Sequence, residues 1–290
     1  MSDILLRFDF AQSPVRGEIC QLQTLCHAVT DRHDYPLPVR TLLGQAMSAV
    51  VLMAAMLKLE GSLILQIEGD GPVNLVMAEC NHRGEVRAMA SHGDDPVPDD
   101  GWLAMVGQGR LLLTIDPEDG QRYQGIVPLE GASLAEALGH YFAQSEQLPT
   151  EFHLFADGER AGGLMLQVLP GHDQGDDADL WPRVRNLAAT LSASEMLSLD
   201  AESVLYRLFH EETVQLLAEQ ALAFVCSCSR ARSENALRAI AEDELKQLLD
   251  EQSGLIEVRC QFCLQRYPFD RIDIEQLLRH DGSPGSDSLQ

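Results

Sequence analysis

The first part of the chain alternates short apolar runs with turn residues, a pattern typical of strands joined by tight turns. Residues 4–10 form a strand-like run, and residues 15–25 form a second one with weaker alternation. A longer apolar stretch, rich in Ala, Leu and Met, starts at Pro38, extends to about Leu59 and ends at Gly61. Its length and composition predict a helix.

Further strands are predicted after this helix. Turn residues separate them, including Gly-Asp-Gly-Pro at 69–72 and Asn-His-Arg-Gly at 81–84. Ser133 and Glu136 have the spacing of a capping box, which predicts a helix from there to Phe142. Together these elements predict a mixed α/β domain. Its later strands are expected over residues 63–67, 73–78, 85–90, 110–115, 123–127, 152–155 and 163–169.

The pattern becomes helical after an acidic, polar break at residues 172–179. Pro182 suits the first turn of a helix over residues 184–191, and Asp179 is placed to cap it. Two more helical runs follow, over residues 200–209 and 214–222.

These patterns predict an α+β protein in three parts. The parts are a mixed α/β N-terminal domain at residues 1–171, a helical linker at 172–225 and a small C-terminal domain at 226–290. The last ten residues, 281–290, are expected to fray.

The most apolar stretch, residues 42–57, is shorter than the roughly 20 residues that a bilayer requires. Gln45 and Ser48 interrupt it, so the pattern favours a buried core helix over a membrane span. The start of the chain lacks a basic region followed by a long apolar core, and no secretory signal is predicted. We therefore expect a soluble, cytoplasmic protein with no membrane partner.

The charge balance is strongly acidic. The 290 residues include 21 Lys and Arg against 45 Asp and Glu, a formal net charge of -24, and 45% are hydrophobic. This apolar content is enough for a packed core. Acids outnumber bases in every part of the chain, 10 to 3 over residues 172–225 and 12 to 8 over residues 226–290. Such a surface repels polyanions, which disfavours nucleic acids and anionic membranes as partners.

The seven cysteines fall into two groups. Cys20, Cys26 and Cys80 are isolated, and we expect them to be buried as small apolar side chains. The other four form a Cys-x-Cys pair and, 31 residues later, a Cys-x-x-Cys pair. They are Cys226, Cys228, Cys260 and Cys263.

Four thiolates with this spacing predict a tetrahedral zinc site in a reducing compartment. A closed shell of four sulfurs leaves no position for water, which argues against hydrolytic zinc chemistry. Residues 255–259 and 264–269 are predicted to form a hairpin with the Cys-x-x-Cys pair at its turn. Because a core this small supplies only ~3–5 kcal/mol, the C-terminal domain is expected to need its metal to fold.

Each cysteine pair can also form a disulfide within itself, Cys226 with Cys228 or Cys260 with Cys263. Such a bond releases the metal and closes only a tiny loop, whereas the metal joins segments that are 31 residues apart. A disulfide inside Cys-x-Cys is geometrically constrained, which favours its reduction by cellular thiols. Oxidation is therefore expected to unfold this domain and expose apolar surface.

At these four cysteines the chain resembles the bacterial redox-regulated heat-shock chaperones, the 33 kDa chaperonins. The resemblance extends over nearly the whole chain, and the four cysteines match the family's Cys-x-Cys and Cys-x-x-Cys hallmark without departure. Other resembling segments are Gly-Asp-Gly-Pro at 69–72, Tyr-Gln-Gly-Ile-Val at 123–127, Tyr-Phe-Ala-Gln-Ser-Glu-Gln at 141–147 and Ala-Gly-Gly at 161–163.

The resemblance implies a holdase that is inactive while reduced and zinc-bound. Oxidation would form the Cys226–Cys228 and Cys260–Cys263 disulfides, release zinc and destabilise the helical linker. The active form would be a homodimer, in contrast to a reduced monomer, and would bind unfolding client proteins without ATP. No Gly-x-x-x-x-Gly-Lys-Ser/Thr phosphate loop occurs in the sequence, in agreement with ATP independence. The protein is then a chaperone in the stress response and not an enzyme.

Two other classes of function fit the residues less well. A thiol–disulfide oxidoreductase would use either cysteine pair, but neither pair lies in a thioredoxin-like βαβ context. A zinc-ribbon nucleic-acid module is disfavoured because its few arginines alternate with acids. Apolar linker residues are candidate client contacts, although ordinary helix packing explains each of them better. These residues are Leu205, Leu208 and Phe209.

Overall fold

A computed structural model of the protein describes residues 3–57, 60–169, 177 and 179–280. The chain divides into two compact units, Met1–Val225 and Cys226–Gln290. Most of the predicted acidic break and the predicted frayed tail at 281–290 lie outside the described residues. The division into two compact units does not distinguish a linker at 172–225 from the rest of the first unit, so the separate linker stays a prediction.

The first unit contains two sheets. One has the strand order β10-β1-β2-β9-β8 and is antiparallel throughout. The other has the order β11-β5-β4-β3-β6-β7, with one parallel pair between β11 and β5. The strands are β1 (Ile4–Phe10), β2 (Val15–Leu22), β3 (Gly61–Gly69), β4 (Val73–Asn81), β5 (Glu85–His92), β6 (Gly109–Pro117), β7 (Tyr123–Val127), β8 (Thr150–Ala156), β9 (Ala161–Val168), β10 (Val214–Ala221) and β11 (Ala223–Phe224).

Seven α-helices are described in the first unit, and they pack against strands of both sheets. They are α1 (Thr24–Thr30), α2 (Leu37–Ala54), α3 (Trp102–Val106), α4 (Leu134–Tyr141), α5 (Leu180–Ala188), α6 (Ala193–Ser198) and α7 (Ala201–Phe209), and a π-helical segment at Phe142–Glu146 continues α4. The predicted cap of α4 is confirmed, since Ser133 Oγ accepts a hydrogen bond from the Glu136 amide. Asp179 occupies the N-cap of α5, but its side chain makes no capping hydrogen bond.

Helix α2 forms the core of the first unit and packs against strands of both sheets. It is the one helix in the described ranges that is long and apolar enough to cross a membrane, and most of it is buried inside the protein. A Cβ atom at Gly44 would lie 2.7 Å from Cβ of Ala156, so a glycine lets the helix approach the sheet closely. This supports the predicted core helix, which ends at Ala54 and not at Leu59.

The predicted helix at 214–222 is wrong. This segment is the edge strand β10, which pairs antiparallel with β1 from Phe10 opposite Val214 to Ile4 opposite Ala221. Its Gln, Leu, Ala and Glu residues favour a helix locally, but pairing with the otherwise open edge of β1 satisfies its backbone groups. Tertiary pairing therefore overrides local propensity here. The pattern also missed the short helices α1, α3 and α6.

Along α5 to α7, apolar side chains pack onto the face of the first sheet that is opposite α2. Leu205, Leu208 and Phe209 are buried there, and the Phe209 ring packs edge-on against Phe10 at 5.2 Å between centroids. In this conformation the three candidate client contacts are ordinary core residues.

The second unit is small and has its own core. Its elements are α8 (Arg230–Arg238), α9 (Glu242–Glu251), β12 (Leu255–Arg259), β13 (Arg266–Asp270) and α10 (Arg271–His280). The hairpin predicted around the Cys-x-x-Cys pair is present as β12 and β13. The buried apolar side chains of this core are Leu237, Leu245, Leu249, Ile256, Phe269, Ile274 and Leu277.

Candidate metal centre

The Cys-x-Cys pair lies immediately before helix α8. Ser229 is the N-cap of this helix, and its hydroxyl accepts a hydrogen bond from the Arg232 amide. The Arg232 guanidinium in turn donates to the hydroxyl of Ser227, between the two cysteines. The start of α8 therefore holds the backbone on which Cys226 and Cys228 are carried.

The Cys-x-x-Cys pair lies in the turn between β12 and β13. The Cys260 amide donates to the Gln265 carbonyl, and the Leu264 amide donates to the Cys260 carbonyl, both at 2.9 Å. Leu264 has a φ of 60°, the left-handed conformation that closes the turn. These bonds form a knuckle that directs Cys260 and Cys263 to one place.

The four sulfur atoms lie within 4.8 Å of one another. The Cys226 and Cys260 sulfurs are 3.6 Å apart, and those of Cys228 and Cys263 are 3.3 Å apart. Four sulfurs at about 2.3 Å from one zinc ion in a tetrahedron would be separated by roughly 3.8 Å. The donor set and its dimensions therefore fit a metal site with four cysteine ligands. In the described residues this is the one group of His, Cys, Asp or Glu side chains that could hold a metal ion.

The thiols differ in their surroundings. Burial raises the pKa of Cys226 to about 12. Burial also acts to raise the pKa of Cys228, but hydrogen bonds with Tyr267 and with the neighbouring thiols outweigh it, and the net shift is downward. The same contact with Cys228 raises the pKa of Tyr267 to about 12. Of Cys226 and Cys228, Cys228 is thus the one whose thiolate form is better stabilised.

Tyr267 was not among the residues identified from the sequence. Its hydroxyl oxygen lies 3.2 Å from the Cys228 sulfur. The one available signal was its position in the predicted second hairpin strand, four residues after Cys263. That signal does not show which sulfur the hydroxyl meets.

Arg230 connects α8 to the hairpin without using any cysteine. Its guanidinium donates to the Pro268 carbonyl at 2.6 Å, lies 4.3 Å from the centroid of the Phe269 ring and pairs with Asp273 at 2.8 Å. This group of contacts adds to the packing that holds the second unit together.

The remaining cysteines behave as predicted. Cys20, Cys26 and Cys80 are all buried in the first unit. Burial raises the pKa of each to about 12, which keeps the thiols protonated and unreactive.

Comparison with known proteins identifies one family throughout. Residues 3–270 match the family model described as Hsp33 protein. The 33 kDa chaperonin of Azotobacter vinelandii is 48% identical over 286 residues, with 97% of this chain and 96% of that protein covered. The 33 kDa chaperonin of Pseudomonas aeruginosa is 47% identical over 289 residues, with 98% and 97% covered. The crystal structure of the 33 kDa chaperonin from Thermotoga maritima superposes with a TM-score of 0.81 at 25% identity, covering 97% of this chain and 99% of that one.

Proposed function

This chain belongs to the Hsp33 family of chaperones, and we propose that it is a redox-regulated, ATP-independent holdase for proteins that unfold under oxidative stress. The observation that carries the proposal is the convergence of two self-contained thiol pairs on one point of the second unit. The proposed setting is the reducing cytoplasm, where thiols stay free until an oxidant appears.

In the reduced form, Cys226, Cys228, Cys260 and Cys263 would hold zinc as thiolates. When bound, zinc supplies a crosslink between the segment before α8 and the turn of the hairpin. The seven buried apolar side chains described in the second unit form a core too small to supply more than ~3–5 kcal/mol. A zinc ion held by the four thiolates would therefore supply the cohesion that this core lacks.

Oxidation by a hydroperoxide would act on each pair separately. One thiolate attacks the peroxide oxygen, forming a sulfenic acid and releasing an alkoxide or hydroxide. The second thiolate attacks this sulfur, the disulfide forms and hydroxide leaves. Each disulfide thus removes two electrons from its pair and consumes one peroxide. Hydrogen peroxide is reduced to two hydroxide ions, which take two protons from the solvent to become water. The proposed pairs are Cys226 with Cys228 and Cys260 with Cys263.

These two local bonds would not connect the two segments that a shared metal ion would join. The second unit is then expected to unfold, and helices α5 to α7 are expected to loosen from the first sheet. Their apolar faces, including Leu205, Leu208 and Phe209, would become available to clients. We propose that the reduced form is a monomer and the oxidised form a homodimer.

The test is to treat the zinc-loaded protein with hydrogen peroxide during mild heating. Zinc release is followed with a chromogenic chelator, and client aggregation by light scattering. Reduced protein should suppress aggregation poorly, and oxidised protein should suppress it strongly after releasing zinc. Equal suppression by the reduced, zinc-loaded form would overturn the switch. Catalytic turnover in an insulin-reduction assay would favour a thiol–disulfide oxidoreductase instead.

A further inference from the structure

The hydroxyl of Tyr267 is directed at one sulfur of the four. It lies 3.2 Å from the Cys228 sulfur, and no such hydroxyl contact is found for Cys226, Cys260 or Cys263 in the described part of the chain. Tyr267 is opposite Val258 in the hairpin register, and its ring packs beside the core of the second unit. The ring is therefore held in place by packing while the hydroxyl reaches the sulfur.

A hydroxyl that donates to a thiolate does two things. It fixes the direction of the sulfur lone pairs, and it withdraws electron density from the atom that would attack a peroxide. Substituting a partner that hydrogen-bonds to a metal ligand typically lowers metal affinity or activity by roughly 10–100-fold.

We propose that Tyr267 is a positioning residue that holds Cys228 as a metal ligand and restrains its reaction with peroxide. This inference rests on the proposed zinc site. It identifies Tyr267 as a residue that controls how easily the site is oxidised and loses zinc. Cys228 would be protected while Tyr267 is in place, and loosening of the hairpin would remove that protection.

The test compares the full-length wild type with Tyr267→Phe, which keeps the ring and removes only the hydroxyl. Tyr206→Phe is the control, since Tyr206 is 74% exposed and lies in the first unit. Zinc affinity measured by chelator competition should fall about tenfold in Tyr267→Phe and stay unchanged in the control. In the cobalt-loaded protein, the sulfur-to-cobalt charge-transfer band should move to lower energy because the sulfur lone pairs lose a stabilising donor.

Peroxide reactivity gives a separate readout. Timed alkylation followed by mass spectrometry of the tryptic peptide that ends at Arg230 should show faster thiol loss in Tyr267→Phe. A purely structural role would lower the melting temperature without shifting the charge-transfer band. Replacing Tyr267 with 3-fluorotyrosine, whose hydroxyl is a stronger donor, should change the band energy and the rate in the opposite direction, even where Tyr267→Phe folds poorly.

The outcomes separate this inference from the proposed function. If the wild type binds no zinc, or keeps zinc after oxidation, the proposed function fails. If the wild type releases zinc but both Tyr267 variants match it in affinity, band energy and rate, only the role of Tyr267 is overturned.

Discussion

The side-chain nitrogen of Gln21 lies 2.8 Å from the carbonyl oxygen of Met196, although 175 positions separate them in the sequence. The same amide donates to the Leu199 carbonyl at 2.7 Å. Gln21 is on β2 and is buried, so it satisfies carbonyl groups at the end of α6 that the helix itself leaves unpaired. The Arg160 guanidinium adds a bond to the Leu197 carbonyl. Specific hydrogen bonds, in addition to apolar packing, thus join the helical segment to the sheet.

Replacing Gln21 with Met should weaken the attachment of α6 to the first sheet. The substitution keeps the length of the side chain but leaves buried carbonyl groups unpaired, at a cost of about 1–3 kcal/mol. Hydrogen exchange over residues 193–209 should accelerate, and holdase activity should appear at a milder oxidative treatment. Gln121→Met, at an exposed position, is the control. Unchanged exchange in α6 and α7 would contradict the expectation.

Removing the metal from the reduced protein should unfold the second unit selectively. A structural zinc site contributes ~10–16 kcal/mol of apparent binding free energy, far more than this small core supplies. After chelation, amide protection should disappear from α8 to α10 and persist in α2 and the central strands of the first unit. Hydrogen exchange with mass spectrometry measures both regions in one sample. Retained protection in the hairpin after complete metal removal would show that the metal is dispensable for folding.

The disulfide connectivity of the oxidised protein can be tested directly. In this structure the short sulfur–sulfur contacts are between the two pairs, from Cys226 to Cys260 and from Cys228 to Cys263, so disulfides between the pairs are the competing outcome. We predict disulfides within the pairs. Trypsin cleaves after Arg207, Arg230, Arg259 and Arg266, which places each pair in a separate peptide. Non-reducing mass spectrometry should find both peptides separate, each lighter by two hydrogen atoms. A single species of the two peptides joined would demonstrate cross-pairing, which would preserve the link between the segments.

Arg230→Ala should destabilise the second unit even with its metal bound. The variant loses the bond to the Pro268 carbonyl, the contact with the Phe269 ring and the partly exposed ion pair with Asp273, together about 1–2 kcal/mol. Zinc release at a fixed peroxide dose should become faster. Arg238→Ala removes an exposed arginine from the same helix and serves as the control. Equal zinc-release rates for the two variants would exclude a stabilising role for Arg230.

Glu18 should make the first unit less stable as the pH rises. It is buried on β2, and burial raises its pKa to about 7 despite the opposing charges of Arg16 and Arg7. Between about pH 4.5 and 7 the unfolded chain loses this proton while the folded chain keeps it, so the free energy of unfolding falls by roughly 3 kcal/mol. Glu18→Gln should match the wild type at about pH 4 and exceed its stability at about pH 8. Urea unfolding at both values tests this, and parallel pH profiles would refute it.

Several elements were predictable because their signals are local. The core helix α2 follows from an apolar stretch, the cap of α4 from Ser133 and Glu136, and the hairpin around Cys260 and Cys263 from its flanking apolar runs. Strand β10 was not predictable in this way, since its residues favour a helix until β1 provides a partner.

The sequence by itself determined the four thiols, their spacing and the acidic balance of the chain, because ligand chemistry and charge belong to the residues themselves. Only the tertiary structure decided that Gln21 bonds to the end of α6, that Arg230 contacts the hairpin and that Tyr267 meets Cys228. Each of these contacts depends on the register and packing of segments that are distant along the chain. The free energy that selects such an arrangement is distributed over the whole core, so no local stretch of sequence contains it.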